Sequence, residues 1–126
     1  MKTIVLDTNF LLIPWQFKVD IFSEIERVCR FPYELKVVEG TMGELQALLE
    51  KGDAKEKKAA KFALSLIKQY KVSTIKADEG DVDDTIASLP KGTIVATQDG
   101  GLKKRLKEKG IALVVLRQQK YLQYIE

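Results

Sequence analysis

Apolar and polar positions along the chain follow a pattern that predicts short strands separated by helices. Five runs rich in Val, Ile and Thr have strand composition, at 3–6, 35–38, 71–75, 93–96 and 111–115. Between them the apolar residues recur every three or four positions, which predicts helices at 19–30, 41–51, 54–70, 81–89 and 100–109. Such alternation is typical of a mostly parallel sheet flanked by helices. We therefore predict an α/β fold with a central sheet of about five strands.

The length of the chain fits one domain. Its 126 residues are enough to bury a single core, and no repeat or linker divides them. We therefore treat 1–126 as one domain, with its loosest points at 50–54 and 77–80. No segment has the pattern of a signal peptide or a membrane span, so we expect a cytoplasmic protein without a membrane partner.

The types of residue that are missing exclude several chemistries. The chain has no histidine and one cysteine, Cys29. It therefore contains no Ser-His-Asp triad, no Cys-His pair and no zinc site built from His or several Cys. Cys29 lies on the apolar face of a predicted helix, where we expect a buried structural thiol. Oxygen ligands from carboxylates remain, and these favour Mg²⁺ or Mn²⁺.

Acidic residues follow four of the five predicted strands. Asp7 comes directly after the first, Asp99 lies three residues past the fourth, and Glu44 and the Asp83–Asp84 pair begin the helices after the second and third. In parallel sheets, ligands bind outside the carboxyl ends of the strands. These residues are therefore far apart along the chain but are expected to meet at one edge of the sheet. The pattern indicates a carboxylate metal site.

Most of these acids also have an ordinary structural explanation. Thr41-Met-Gly-Glu44 has the form of a capping box, and Asp81 and Asp99 are placed to cap helices. Asp83 and Asp84 would stabilise a helix start through its dipole. Asp7 has no such explanation, because a charge at the inner end of an apolar strand is costly unless it is paired or bound to metal. Four independent caps also need not fall at one sheet edge, which favours a shared site.

The same residues resemble the motifs of a known family. Asp7-Thr-Asn9, Glu44, Asp83-Asp-Thr-Ile-Ala87 and Thr97-Gln-Asp99 are similar, in order and separation, to the motif series of PIN-domain ribonucleases. The resemblance spans nearly the whole chain. The string from Asp7 to Pro14 resembles archaeal PIN proteins related to the rRNA-processing PIN nucleases more than typical VapC toxins.

The resemblance implies a Mg²⁺- or Mn²⁺-dependent endoribonuclease. Its catalytic residues would be the acidic quartet, Asp7, Glu44, Asp83 and Asp99, with Asp84 as a fifth metal ligand. Thr8, Asn9 and Thr97 match positions whose hydroxyl or amide groups orient the carboxylates, and Gln98 receives no role. RNA is the implied substrate. A homodimer, and an antitoxin or a ribosome-assembly factor, are the implied protein partners, and the sequence does not choose between these roles.

Basic and aromatic residues suggest where RNA would be bound. The formal charge is only +3, but lysines are concentrated in two predicted helices. Those after Asp99 include the candidate RNA contacts Lys103, Lys104 and Lys107, and the helix at 54–70 has five more. Each set is either a solvated face or a surface that contacts phosphates. Trp15 and Phe17, in a predicted loop, either stack on an unpaired base or belong to the core or a subunit contact.

Three other classes of protein fit the sequence less well than a nuclease does. A phosphoacceptor domain needs an acid pair after the first strand and a lysine after the fifth, and this chain has neither. A haloacid-dehalogenase-type phosphatase needs Asp-x-Asp, whereas this chain has Asp7-Thr-Asn9. A catalytically silent PIN scaffold that binds RNA or a protein is the strongest alternative. It is disfavoured because every acid of the quartet is present.

Overall fold

A six-stranded sheet with helices on both faces makes up the part of the chain that the computed structural model describes, residues 1–76 and 81–126. The strands are β1 Lys2–Leu6, β2 Tyr33–Val38, β3 Ser73–Ile75, β4 Ile94–Ala96, β5 Leu113–Arg117 and β6 Tyr121–Ile125. The helices are α1 Thr8–Leu11, α2 Ile13–Phe17, α3 Ile21–Val28, α4 Glu39–Lys51, α5 Ala54–Gln69, α6 Val82–Ala87 and α7 Gly100–Glu108.

The order of the strands is β3-β2-β1-β4-β5-β6, and only the β5–β6 pair is antiparallel. The predicted α/β fold with a mostly parallel sheet is confirmed. β1 lies at the centre, so the carboxyl ends of β1 and β4 are neighbours. Asp7 immediately follows β1, and its backbone N–H donates to the carbonyl of Ala96 at the end of β4, at 2.9 Å. The sheet thereby places the first and last acidic motifs side by side.

The prediction of five strands missed β6, and it also missed two short helices. β6 follows a turn in which Gln118 and Gln119 have φ angles of 53° and 55°, without the Gly, Asn or Asp that usually indicates such a turn. α1 and α2 have four and five residues, too few for a helical period to be visible. Trp15 and Phe17 therefore lie in α2 rather than in a loop.

The two faces of the sheet bury separate apolar clusters. Alternate residues of a strand point to opposite faces, so Ile4 and Leu6 pack with α3 and α5 while Val5 packs with α6 and α7. Cys29 is buried in the first cluster, and burial raises the pKa of its thiol to about 11. A buried thiol of this kind is unreactive, which agrees with the expected structural role.

The expected loose point at 50–54 is instead a tight connection. α4 continues to Lys51, and Asp53 and Glu56 form a capping box that begins α5. The other expected loose point, at 77–80, lies outside the described residues. Across the described ranges, no helix is both long enough and apolar enough to cross a membrane.

The outer strand β6 has side chains bonded to its backbone. Leu122 donates its N–H to Glu24 Oε1 at 2.9 Å, and its carbonyl accepts from Arg27 Nη2 at 3.1 Å. Glu24 and Arg27 form an ion pair with each other one turn apart on α3, at 2.9 Å. This arrangement fastens α3 to the edge of the sheet.

Candidate active site

An open cavity of about 720 Å³ lies where the carboxyl ends of β1 and β4 meet α4 and α6. Among the described residues that line it, six are acidic: Asp7, Glu44, Glu56, Asp81, Asp83 and Asp99. Lys51 is the basic residue in that lining. The four acids predicted as catalytic thus share one cavity, together with two acids that were not predicted to belong to the site.

Asp7 is the most buried of these carboxylates, at 4% exposure. One of its oxygens accepts from the backbone N–H of Thr8 at 2.8 Å, and the other accepts from the Thr97 hydroxyl at 2.7 Å. Burial nevertheless raises the pKa of Asp7, against the lowering effect of these two hydrogen bonds, and the charges of Asp83 and Glu44 raise it further. The ionised form is therefore destabilised, as expected for a buried carboxylate with like charges nearby.

Glu44 reaches the cavity from the second turn of α4, and the capping-box interpretation of this residue is wrong. α4 begins at Glu39 directly after β2, and its N-cap, Val38, makes no side-chain cap. Thr41 is therefore inside the helix and buried. The Thr8 hydroxyl lies within hydrogen-bonding distance of the Glu44 carboxylate and, at 3.1 Å, of the Thr41 hydroxyl. Thr8 thus contacts Glu44, and the orienting role that its match to the motif implies stays a prediction.

α6 presents Asp83 to the cavity beside Asp81. Partial burial is the main reason that the pKa of Asp83 is raised, and the charges of Asp99 and Asp81 raise it further while Arg105 opposes them. Asp81 accepts from the Asp84 N–H at 2.7 Å and caps α6, as predicted. It also lines the cavity. Whether Asp81 also joins the site was left open by the sequence, because a helix cap already explained the residue.

Asp84, predicted as a fifth metal ligand, is not among the described residues lining the cavity. It is exposed, and its carboxylate pairs with Arg105 of α7 at 3.1 Å. Adjacent helical residues point about 100° apart, so Asp83 and Asp84 face different directions. The structure places the Asp84 carboxylate against Arg105 of α7, and its role as a fifth metal ligand stays a prediction.

Asp99 is held by the segment 97–99. The Thr97 hydroxyl accepts from the Asp99 N–H at 3.0 Å while donating to Asp7, so one buried hydroxyl joins the two acids. Asp99 also accepts from the Leu102 N–H at 2.9 Å and caps α7, as predicted. The cap and the cavity position are therefore compatible rather than alternatives.

Asn9 and Gln98 are joined by two hydrogen bonds. The Gln98 backbone N–H donates to Asn9 Oδ1 at 3.2 Å, and the Gln98 side-chain amide donates to the Asn9 carbonyl at 2.9 Å. The sequence assigned no role to Gln98. It connects the segment that contains Asp7 to the segment that contains Asp99.

Gly40 lets α4 approach α6 closely. A Cβ at Gly40 would lie 2.9 Å from Val82 Cγ2, closer than side chains tolerate. This contact joins the start of the helix that bears Glu44 to the start of the helix that bears Asp83. The absence of a side chain at Gly40 thus allows α4 and α6 to approach each other beside the cavity.

The chemistry of the cavity fits a divalent cation. Its potential ligands are carboxylate oxygens, which hard cations such as Mg²⁺ and Mn²⁺ prefer. Asp7 and Asp83 both have pKa values raised in part by neighbouring carboxylates, a repulsion that a cation would relieve. In residues 1–76 and 81–126, however, no three Asp, Glu or Cys side chains lie close enough together to hold one ion. The acids share a cavity without surrounding a single point, and metal binding stays a prediction.

The predicted RNA-contacting lysines lie at a different surface. Lys103, Lys104 and Lys107 line a groove of about 340 Å³ between α7 and the β5–β6 hairpin, together with Arg117. Of the aromatic candidates, Phe17 packs partly against the core. Trp15 is half-buried and contacts Phe62 of α5 edge-to-face, with ring centroids 6.2 Å apart.

The mostly parallel sheet bears acidic residues at its carboxyl edge, in the order of the four sequence motifs. This combination defines a class of protein. The chain belongs to the family of PIN-like domains, whose model it matches over residues 4–119. The family inferred from the four motifs is confirmed.

Similar proteins of known name agree with this membership. The chain is 38% identical over 126 residues to ribonuclease VapC4 of Methanocaldococcus jannaschii, covering 96% of this chain and 95% of that protein. It is 30% identical over 121 residues to ribonuclease VapC9 of Archaeoglobus fulgidus, covering 95% and 87%. The structure of the PIN domain endonuclease Utp24 superposes with a TM-score of 0.76 at 22% identity, covering 97% and 90%, and shows the same fold.

Proposed function

We propose that the protein is an endoribonuclease that hydrolyses RNA phosphodiester bonds with the help of Mg²⁺ or Mn²⁺. The observation that supports this most directly is the common cavity of Asp7, Glu44, Asp83 and Asp99. The relatives named as ribonucleases, which align over most of this chain, support RNA as the substrate.

The proposed roles follow from burial and hydrogen bonding. Asp7, Glu44, Asp83 and Asp99 would hold the cation, with Asp81 within the same cavity. A bound divalent cation neutralises charge on the phosphodiester and lowers the pKa of an attacking water. Thr97 would favour the ionised form of Asp7 and fix the orientation of its carboxylate, because the Thr97 hydroxyl donates to it. Thr8 would do the same for Glu44.

Water is the attacking group in this proposal because the chain has few side chains that could act as nucleophile or general base. It has no histidine, and Cys29 is buried with a raised pKa. No covalent step on the protein is needed. The lysines Lys103, Lys104 and Lys107 of α7 remain proposed contacts for the RNA backbone, since α7 starts at Asp99. A second copy of the chain, an antitoxin and a ribosome-assembly factor stay predictions.

The test replaces Asp7 and Asp83, which line the cavity, and uses Asp84, the neighbour of Asp83 on α6, for comparison. Asp7→Asn and Asp83→Asn should each reduce Mn²⁺-dependent cleavage of single-stranded RNA at least a hundredfold, because each removes a ligand charge at nearly constant volume. Asp84→Asn is the matched control, since Asp84 is exposed and paired with Arg105. It should cleave at close to the wild-type rate. Cleavage would be followed on end-labelled RNA by gel electrophoresis.

Two results would contradict the proposal. Equal activity of Asp7→Asn and the wild type would remove Asp7 from the site. No cleavage by the wild type with either metal, over that seen with chelator, would favour the silent scaffold that binds RNA or protein without cutting it.

A further inference from the structure

A second surface of the molecule exposes aromatic rings beside α5. Phe62 and Tyr70 are 40% and 41% exposed, although large apolar side chains are usually buried. They line a groove of about 380 Å³ whose walls include Pro14, Lys18, Phe22, Phe62, Leu66 and Tyr70. We call this surface the aromatic groove. It is separate from the acidic cavity, and none of the residues proposed for catalysis lines it.

The rings of the aromatic groove are held in place by their neighbours. Tyr70 lies flat on Phe22, with centroids 4.0 Å apart and an interplanar angle of 3°. Trp15 contacts Phe62 edge-to-face, and the Lys18 ammonium lies 4.2 Å from the Trp15 ring centroid. Rings fixed in this way lose little conformational freedom when another flat group stacks on them.

The charge around the groove favours an anionic partner. α5 contains five lysines and one glutamate. Helical periodicity places Lys55 and Lys58 on the same side of α5 as Phe62 and Leu66. Asp20 also lines the groove and keeps its negative charge, since it accepts from the N–H and the hydroxyl of Ser23, but Lys18, Lys55 and Lys58 outnumber it. Flat rings with adjacent lysines are the combination that binds single-stranded nucleic acid.

One helix connects the aromatic groove to the acidic cavity. Glu56, in the first turn of α5, lines the cavity. Phe62 is six residues further along and Tyr70 fourteen, about 9 Å and 21 Å along the helix axis. A strand that leaves the cavity along α5 would therefore pass the lysines first and the rings afterwards.

We propose that the aromatic groove binds unpaired bases of single-stranded RNA that extends beyond the acidic cavity. The proposal rests on the proposed function for its substrate class and adds a binding site to it. Lys55 and Lys58 contact the phosphates, and Phe62 and Tyr70 stack on bases. The groove lengthens the RNA that the protein can hold, without taking part in the chemistry.

The experiment measures binding of labelled oligouridylate of about 16 nucleotides, the upper range for single-strand sites, by fluorescence anisotropy in chelator. Phe62→Ala and Tyr70→Ala should each weaken binding about tenfold, since stacking on one ring contributes that much. Tyr121→Ala is the matched control, because Tyr121 is 39% exposed but lies on β6. It should bind like the wild type. Thermal unfolding verifies that each variant is folded.

A second pair of variants tests the contribution of charge. Lys58→Gln should reduce the slope of log Kd against log salt by about 0.7, the effect of one phosphate contact on a single strand. Lys57→Gln removes the same charge from the other side of α5 and should leave the slope closer to the wild-type value.

Three outcomes would overturn the proposal. The first is wild-type affinity in Phe62→Ala, and the second is failure of the wild type to bind oligouridylate. The third is a change of molar mass by light scattering in Phe62→Ala, which would make the groove a contact between copies of the chain. Cleavage of saturating RNA with Mn²⁺ reports on the catalytic proposal separately. There Phe62→Ala should have the wild-type rate, because the aromatic groove takes no part in the chemistry.

Discussion

Gln98 is held in place by contacts that only the fold creates. Its side-chain amide donates to the Asn9 carbonyl and its backbone N–H donates to the Asn9 side chain. Asn9 in turn lies two residues from Asp7, and Gln98 lies next to Thr97 and Asp99. We therefore consider Gln98 a positioning residue for two acids that it does not touch.

Substitution of Gln98 by Met should test this role, because it removes the donor at similar volume. The Asn9 carbonyl would lose its partner, at about 1 kcal/mol of stability. We expect kcat for RNA cleavage to fall by about tenfold, with KM nearly unchanged, as the acids lose their alignment. The variant should also need more Mn²⁺ for half-maximal thermal stabilisation.

Gln46→Met provides the control for that substitution. Gln46 donates to Glu50 on the exposed face of α4, so its loss should change neither kcat nor the Mn²⁺ midpoint. If Gln98→Met loses stability but keeps the wild-type kcat and Mn²⁺ midpoint, then Gln98 stabilises the fold and does not position the acids.

At the scale of single residues, the sequence indicated a functional role where a residue has a recognisable free-energy cost. A charge directly after the apolar strand β1 requires an explanation, and Asp7 is indeed buried with paired oxygens. Asp81 was missed because it both caps a helix and faces the cavity. The preference for Asp83 over Asp84 came from the family resemblance, because the pattern of apolar and polar residues does not show which of two adjacent residues points inward.

At the scale of elements, Gly40 and Gly43 offer a comparison within α4. A Cβ at Gly40 would meet Val82 Cγ2 at 2.9 Å, whereas nothing lies within 4 Å of a Cβ at Gly43. Val82 is buried and β-branched, so it cannot rotate away easily. Gly43→Ala should stabilise the protein by up to about 1 kcal/mol through helix propensity. Gly40→Ala should instead destabilise it by about 1–3 kcal/mol.

Chemical denaturation of the two variants measures this difference. Similar stabilisation by both substitutions would show that the α4–α6 contact relaxes without cost. Gly40→Ala should also weaken Mn²⁺ stabilisation, because it moves the helix of Glu44 away from the helix of Asp83.

The accuracy of element prediction followed the length and periodicity of each segment. α5 and α4 have long amphipathic patterns, and their predicted bounds differ from the observed ones by at most two residues. α1, α2 and β6 are short and depend on tertiary contacts, including those that Leu122 makes with α3. Their stability comes from neighbours that are distant in sequence, so local patterns did not reveal them.

At the scale of the whole molecule, partial burial of the acids and the repulsion among them should make metal-free stability depend on pH. A carboxylate whose folded pKa is raised contributes stability at low pH that is lost as the pH rises through the folded pKa. Asp83 has such a raised pKa. In chelator at neutral pH, Asp83→Asn should therefore melt a few degrees above the wild type. The difference should disappear below about pH 3.9, where the unfolded carboxylate is protonated.

Divalent metal should reverse this order. Millimolar Mn²⁺ should raise the melting temperature of the wild type by mass action, and that of Asp83→Asn much less. Asp84→Asn should lose a surface ion pair and melt at or slightly below the wild type in chelator. If Asp83→Asn also melts lower in chelator and the wild type ignores metal, Asp83 stabilises a helix start and does not belong to a shared metal site.

The ion pair that fastens α3 to Leu122 also affects how the protein behaves at high concentration. An outer strand with free N–H and C=O groups can pair with a strand of another molecule and begin aggregation. At Leu122 both groups are already bonded to Glu24 and Arg27, so an incoming strand would have to break an ion pair before it could bind there. The opposite outer strand, β3, has only three residues and offers little length for such pairing. The sheet therefore ends on both sides in ways that oppose its extension into fibrils, although the buried residues of its central strands β1 and β4 are all apolar.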